Sequence, residues 1–152
     1  MAPLYHGSCL CKEIEFEVAA EPIIVSCCHC KNCKKYTGTV FTTNVVFAAN
    51  NSIRITKGEN LVSAFKDTVQ DSGNSLSRKF CSLCGSPLYN TGGDFGRTLA
   101  VFYSALDDFN VVGDDGIAKE AKPQVEYYSK VRTSWVRSVE GAEQPKTKPG
   151  RD

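Results

Sequence analysis

The eight cysteines of this chain fall into three short groups, and no other feature restricts the possible folds so strongly. Cys9-Leu10-Cys11 stands near the start, Cys27-Cys28-His29-Cys30-Lys31-Asn32-Cys33 follows, and Cys81-Ser82-Leu83-Cys84-Gly85 lies mid-chain. Cys-x-Cys and Cys-x-x-Cys pairs chelate one ion from a short local loop. Thiolate sulfur selects a soft or borderline metal, zinc by default where no redox role is needed. The first residues, Met1-Ala2-Pro3-Leu4-Tyr5-His6, lack a charged stretch followed by an apolar run, so no signal peptide is expected. No apolar run approaches the roughly 20 residues of a transmembrane helix. A cytoplasmic chain is therefore expected, in which clustered cysteines serve metal binding or catalysis rather than disulfides.

A length of 152 residues with 41% hydrophobic and 23% charged residues predicts a single domain with a real core. A formal net charge of +1 gives no bulk attraction to nucleic acid or to an anionic membrane. Residues 13–18 alternate strictly, with Ile14, Phe16 and Val18 on one face and three glutamates on the other, the pattern of a half-buried strand. Further strands are expected over residues 22–25, 39–47, 52–56, 61–65, 76–80 and 97–103, separated by turn-rich segments such as 48–52 and 71–75. Helix is expected only as a turn or two within residues 122–131. Asp107-Asp108 and Asp114-Asp115 read as turn chemistry, because the further oxygen ligands of a calcium loop are missing. The fold class is mainly β, and residues from Gly141 onward lack an apolar pattern and are expected to be a disordered tail.

Cys81-x-x-Cys84 followed by Gly85 has the form of a zinc knuckle that supplies two of four ligands. Cys9 and Cys11 are the remaining pair if the central group binds its own ion, which makes a closed four-thiolate staple. In the central group, Cys28 and Cys30 share a face of an extended segment, and Cys30-x-x-Cys33 is a second knuckle. Cys27 and His29 then face the other way, Cys27 as a small buried hydrophobe and His29 as a core hydrogen-bonding residue, a general base or a fourth ligand. Three protein ligands leave a fourth position for substrate, the mark of a catalytic zinc; a closed Cys₃His or Cys₄ structural site is the opposing reading.

The ordered groups Gly7-Ser8-Cys9-Leu10-Cys11, Cys28-His29-Cys30-Lys31-Asn32-Cys33 and Arg78-Lys79-Phe80-Cys81-Ser82-Leu83-Cys84-Gly85 resemble the glutathione-dependent formaldehyde-activating enzyme family, also called the centromere-protein-V domain. The likeness runs on through Ala105-Leu106-Asp107 to Pro123 and Trp135, and the ending resembles fungal members. Lys12 and Ser104 depart from it, standing where the family usually has glycine. The resemblance implies a β-tent-like fold of several coiled antiparallel sheets stapled by zinc, over residues 1–138 with a flexible tail at 139–152. It implies two zinc ions: a structural one on Cys9, Cys11, Cys81 and Cys84, and a catalytic one on Cys28, Cys30 and Cys33. It also implies a carbon–sulfur lyase activity like that of an S-(hydroxymethyl)glutathione synthase, joining glutathione or another thiol to an electrophile such as an aldehyde. Lys31, Lys34 and Lys35 are candidates to receive glutathione's carboxylates. The expected partner is a small-molecule thiol or thiol adduct, with no membrane and no nucleic acid. The alternative is a zinc-stapled module that docks protein or chromatin, with both metals structural.

Overall fold

The computed structural model describes residues 2–71, 73–92, 97–109, 111–112, 118–119 and 121–148. Strands dominate, as the sequence predicts. A three-stranded antiparallel sheet has the order β1 (Leu4–Ser8), β2 (Glu15–Ala19) and β5 (Ile53–Lys57). A seven-stranded sheet is built from β3 (Pro22–Cys28), β4 (Thr42–Phe47), β6 (Val62–Asp67), β7 (Leu76–Cys81), β8 (Pro87–Gly92), β9 (Thr98–Phe102) and β12 (Val125–Tyr127), in the order β12-β3-β4-β9-β8-β7-β6. A two-residue pair, β10 (Val111–Val112) with β11 (Ala118–Lys119), stands apart. All strand pairs are antiparallel except β12 on β3.

The period of two in the strands sorts the residues onto two faces. Val25, Val45 and Val101 lie side by side across β3, β4 and β9, and with Phe47, Leu99 and Tyr89 they form the inner face. Ile14, just before β2, and Phe16 and Val18 within it belong to the same apolar cluster, as their alternation predicts. Each such buried side chain contributes about 1.5–3 kcal/mol. The outer face of the large sheet carries Ser26 opposite Asn44, Cys28 opposite Thr42, and Val46 opposite Ala100. It forms the floor of the site described below.

Two expectations need correction, one on a helix and one on the tail. The helix α1 (Lys31–Thr37) was not expected: it has two turns, buries only Cys33, and so shows no apolar stripe to read. Its ends hold it instead. The Cys30 sulfur accepts the Cys33 amide at the start, and Gly38 closes it at φ 72 in the left-handed region that glycine adopts without strain. Within residues 122–131, where a helical turn or two was expected, the chain forms a single 3₁₀ turn, Ser129–Val131, after β12. The tail expected to be disordered is docked as far as Lys148. Glu143 bridges to Val125, and the amides of Tyr128 and Ser129 donate to the carbonyls of Thr147 and Pro145. Backbone and polar hydrogen bonds hold this segment, and they leave no hydrophobic pattern. The acidic pair at 114–115 lies outside the described residues.

Candidate functional site

The first cysteine group follows β1, and the third follows β7. The four sulfurs of Cys9, Cys11, Cys81 and Cys84 lie within 4.8 Å of one another. Cys9 and Cys11 sulfurs are 3.5 Å apart, and Cys11 and Cys81 sulfurs 3.9 Å. A tetrahedral ion with bonds of about 2.3 Å needs its sulfurs about 3.8 Å apart, so the four fit one zinc-sized ion. Backbone amides support the sulfurs: Ile14 N donates to Cys9 at 3.3 Å and Cys84 N to Cys81 at 3.5 Å. Gly85, at φ 74, turns the knuckle back so that its amide meets the Cys81 carbonyl at 2.8 Å. Lys12 ends the first loop at φ 65, a left-handed backbone for a non-glycine residue.

The second cluster joins Cys28 at the end of β3 to Cys30 and Cys33 at the start of α1, their three sulfurs again within 4.8 Å. Cys27 points to the opposite face, 1% exposed, with its sulfur 3.7 Å from the Thr43 hydroxyl, and belongs to neither cluster. His29 also lies outside the clusters. It is fully buried, its Nε2 is 2.9 Å from the Glu126 carboxylate, and its ring packs on Phe41. No disulfide is present.

The three clustered thiols share charge unequally. Hydrogen bonds from Cys28 and Cys30, helped by the nearby Arg78 guanidinium, hold Cys33 well below the ordinary thiol value. The same contacts, seen from Cys28, push that thiol up, and burial adds to the rise. Arg78 is 1% exposed, bonded through Nε to Asp67 at 2.9 Å and stacked 4.9 Å above the Tyr36 ring. Asp67 also accepts both hydrogen bonds of 3.1 Å from the Asn32 amide, which fixes α1 over the sheet.

A cavity of about 370 Å³ opens beside Cys28, Cys30 and Cys33. The outer sheet face floors it, and Asn32, Tyr127, Tyr128 and Lys148 contribute to its walls. Lys31, Lys34 and Lys35 do not line it. Lys31 and Lys35 are exposed, and the Lys34 ammonium binds the Val131 carbonyl. Sequence proximity to the cysteines placed these lysines on a helix that spreads its side chains around its axis, while the remote Lys148 arrives through the docked tail. Tyr128, 4% exposed, sits at the cavity wall in contact with Cys30 and Cys33, and its hydroxyl has no hydrogen-bond partner among the described residues. Its backbone is left-handed at φ 57, with Lys12 one of two non-glycine residues so placed among those described.

Glu126 fastens this wall. It is 2% exposed and accepts from His29 Nε2 at 2.9 Å, Arg132 Nη1 at 2.9 Å, the Val139 amide at 2.8 Å, and the Gln144 side chain. Burial alone would raise its carboxyl; Arg132, Gln144 and His29 overcome that and hold it at about 2.

A family model described as glutathione-dependent formaldehyde-activating enzyme matches residues 4–131, most of the chain and both cysteine clusters. The chain belongs to this family. A Schizosaccharomyces pombe protein named as an uncharacterized lyase is 31% identical over 87 residues, which cover 57% of this chain and 57% of that protein. The chain is thus aligned with little more than half of this curated relative. A crystal structure of a Rhodobacter sphaeroides protein superposes with a TM-score of 0.55 at 18% identity, covering 69% of this chain and 90% of that one, which supports the fold. Among the described residues, no helix is long and apolar enough to cross a membrane. Of the two departures from the family pattern, Lys12 occupies the left-handed position that glycine would take without strain, whereas Ser104 lies in an ordinary 3₁₀ turn, Tyr103–Ala105.

Proposed function

We propose that this chain is a zinc-dependent carbon–sulfur lyase that makes or breaks the bond between a thiol, glutathione foremost, and an electrophile such as an aldehyde. The observation that carries the reading is the unequal number of donors: four sulfurs close one cluster, and three line a cavity at the other. Four thiolates saturate a tetrahedral ion, while three leave a position for substrate. The fission-yeast relative's name as a lyase supports the reaction class. Such a glutathione-using enzyme would work in the reducing cytoplasm.

A zinc ion held by Cys28, Cys30 and Cys33 would supply Lewis acidity toward a substrate thiol and favour its thiolate form. In the overall reaction a carbon–sulfur bond forms, the thiol proton passes to the carbonyl oxygen, and no redox change occurs; cleavage is the reverse. Arg78 places a positive charge behind Cys33 and offsets the excess negative charge of three thiolates. The Tyr128 ring packs on Cys30 and Cys33, with its hydroxyl buried and unpartnered among the described residues. Burial and the nearby sulfurs push that phenol up to about 12, so it keeps its proton at neutral pH and adds no further negative charge beside the thiolates.

Cobalt substitution tests this reading. Glutathione should change the visible spectrum of cobalt at Cys28, Cys30 and Cys33, and this response should be absent in Cys30→Ser. A spectrum indifferent to millimolar thiol and to its aldehyde adduct would favour a purely structural module.

A further inference from the structure

The groups that line the cavity are sorted by charge. Its charged residues, Asp71 and Lys148, come from the loop after β6 and from the docked tail, at the rim. The sheet residues that floor it are neutral: Ile24 and Ser26 of β3, Asn44 and Val46 of β4, Ala100 of β9 and Asn90 of β8. Ile24, Val46, Ala100 and Asn90 form one continuous row across the four strands. From Cys28 back to Ile24 the floor runs about 13 Å at the usual rise per residue, and the row is about 14 Å wide at the usual strand spacing. A one-carbon electrophile bound at the cysteines covers almost none of it.

Asn44 and Asn90 add amide side chains to this floor, 8% and 5% exposed, and neither brings a charge to it.

We infer that the electrophile half of the substrate is a neutral chain of several carbons, laid on the sheet floor between Cys28 and the row from Ile24 to Asn90. The inference rests on the carbon–sulfur lyase reading. The charged ends of a carrier such as glutathione belong at the rim with Asp71 and Lys148, which leaves the floor to the electrophile. The substrate class is then a thiol adduct of a larger, neutral electrophile rather than of formaldehyde.

Calorimetric titration of the zinc-loaded protein with S-methylglutathione and S-hexylglutathione tests this. The hexyl compound should bind at least about tenfold tighter than the methyl compound, through the added methylenes. Ala100→Leu should abolish that advantage and leave methyl binding within about twofold, because Ala100 faces the cavity and not the core. Thr98→Leu, on the same face of β9, is the second obstruction should the first variant misfold. Equal affinity for the methyl and hexyl compounds, or an advantage that survives in the folded leucine variants, would overturn the inference. Binding of neither compound would instead remove the glutathione-carrier reading beneath it, and the inference with it.

Discussion

Glu126→Gln should destabilise the protein by several kcal/mol and release the docked tail. Glutamine keeps the shape but offers one acceptor oxygen and an NH₂ group, where the carboxylate now meets donors on both oxygens. Whichever way the amide points, a pair of donors is left unmet and the Arg132 charge loses its partner. The carboxyl is held at about 2 against an ordinary 4.5, which corresponds to about 3 kcal/mol of differential stabilisation. The figure agrees with the roughly 3–5 kcal/mol lost when one member of a buried ion pair is removed. For a chain of this size it lowers Tm by roughly 6–12 °C. Because the folded value is depressed, the contribution is complete above about 4.5 and fades as pH falls toward about 2. The wild-type advantage should therefore be constant from pH 7 to about 5 and shrink below that; metal release in acid affects both proteins and largely cancels in the difference. Melting curves of the zinc-loaded proteins across pH measure this, and tryptic cleavage after Lys146 should quicken in the variant. A Tm change under about 2 °C, or a difference that grows on acidification, would refute the reasoning.

Cys81→Ser should leave the chain largely unfolded, since a closed structural zinc contributes folding free energy on the order of 10 kcal/mol. Cys30→Ser should fold and melt near the wild type while losing one metal; the reverse order in thermal denaturation would mean the structural and substrate-binding roles are exchanged. Tyr128→Phe should leave stability in urea unfolding within about 0.5 kcal/mol of the wild type or raise it, because the buried hydroxyl it removes has no partner among the described residues; a loss above about 1.5 kcal/mol would contradict this. Lys12→Gly should stabilise by about 0.5–1 kcal/mol in urea unfolding, because relief of the left-handed backbone exceeds the exposed contacts to Ser8 and Asp107.

Much of this organisation was legible in the sequence because it depends on short-range geometry. The alternation of Ile14, Phe16 and Val18 is a direct image of a strand's two faces, and the structure buries all three. The separation of Cys27 from Cys28 followed from the same rule, since the extended segment persists through Cys28 before α1 begins. The grouping of the other seven cysteines followed from pair spacing, because a short loop fixes two sulfurs at once. What could not be read depends on contacts between distant segments. Glu126 organises the tail through polar bonds that have no period. Asn44, Asn90 and Arg78 are polar residues on buried strand positions, the one trace they leave in the sequence, but that trace does not say which cavity they face. The strands β1, β8 and β12 were missed because Tyr5, Pro87 and Glu126 interrupt any simple alternation.

The central claim is that Cys28, Cys30 and Cys33 hold a zinc ion open to a thiol substrate while Cys27 takes no part. Zinc content and turnover of a thiol–aldehyde adduct, measured side by side in Cys27→Ala and Cys28→Ala, test it most directly. The account predicts two zinc ions per chain and near-normal turnover in Cys27→Ala, and one zinc ion with turnover lost in Cys28→Ala. Loss of a zinc ion from Cys27→Ala, or full activity in Cys28→Ala, would contradict it.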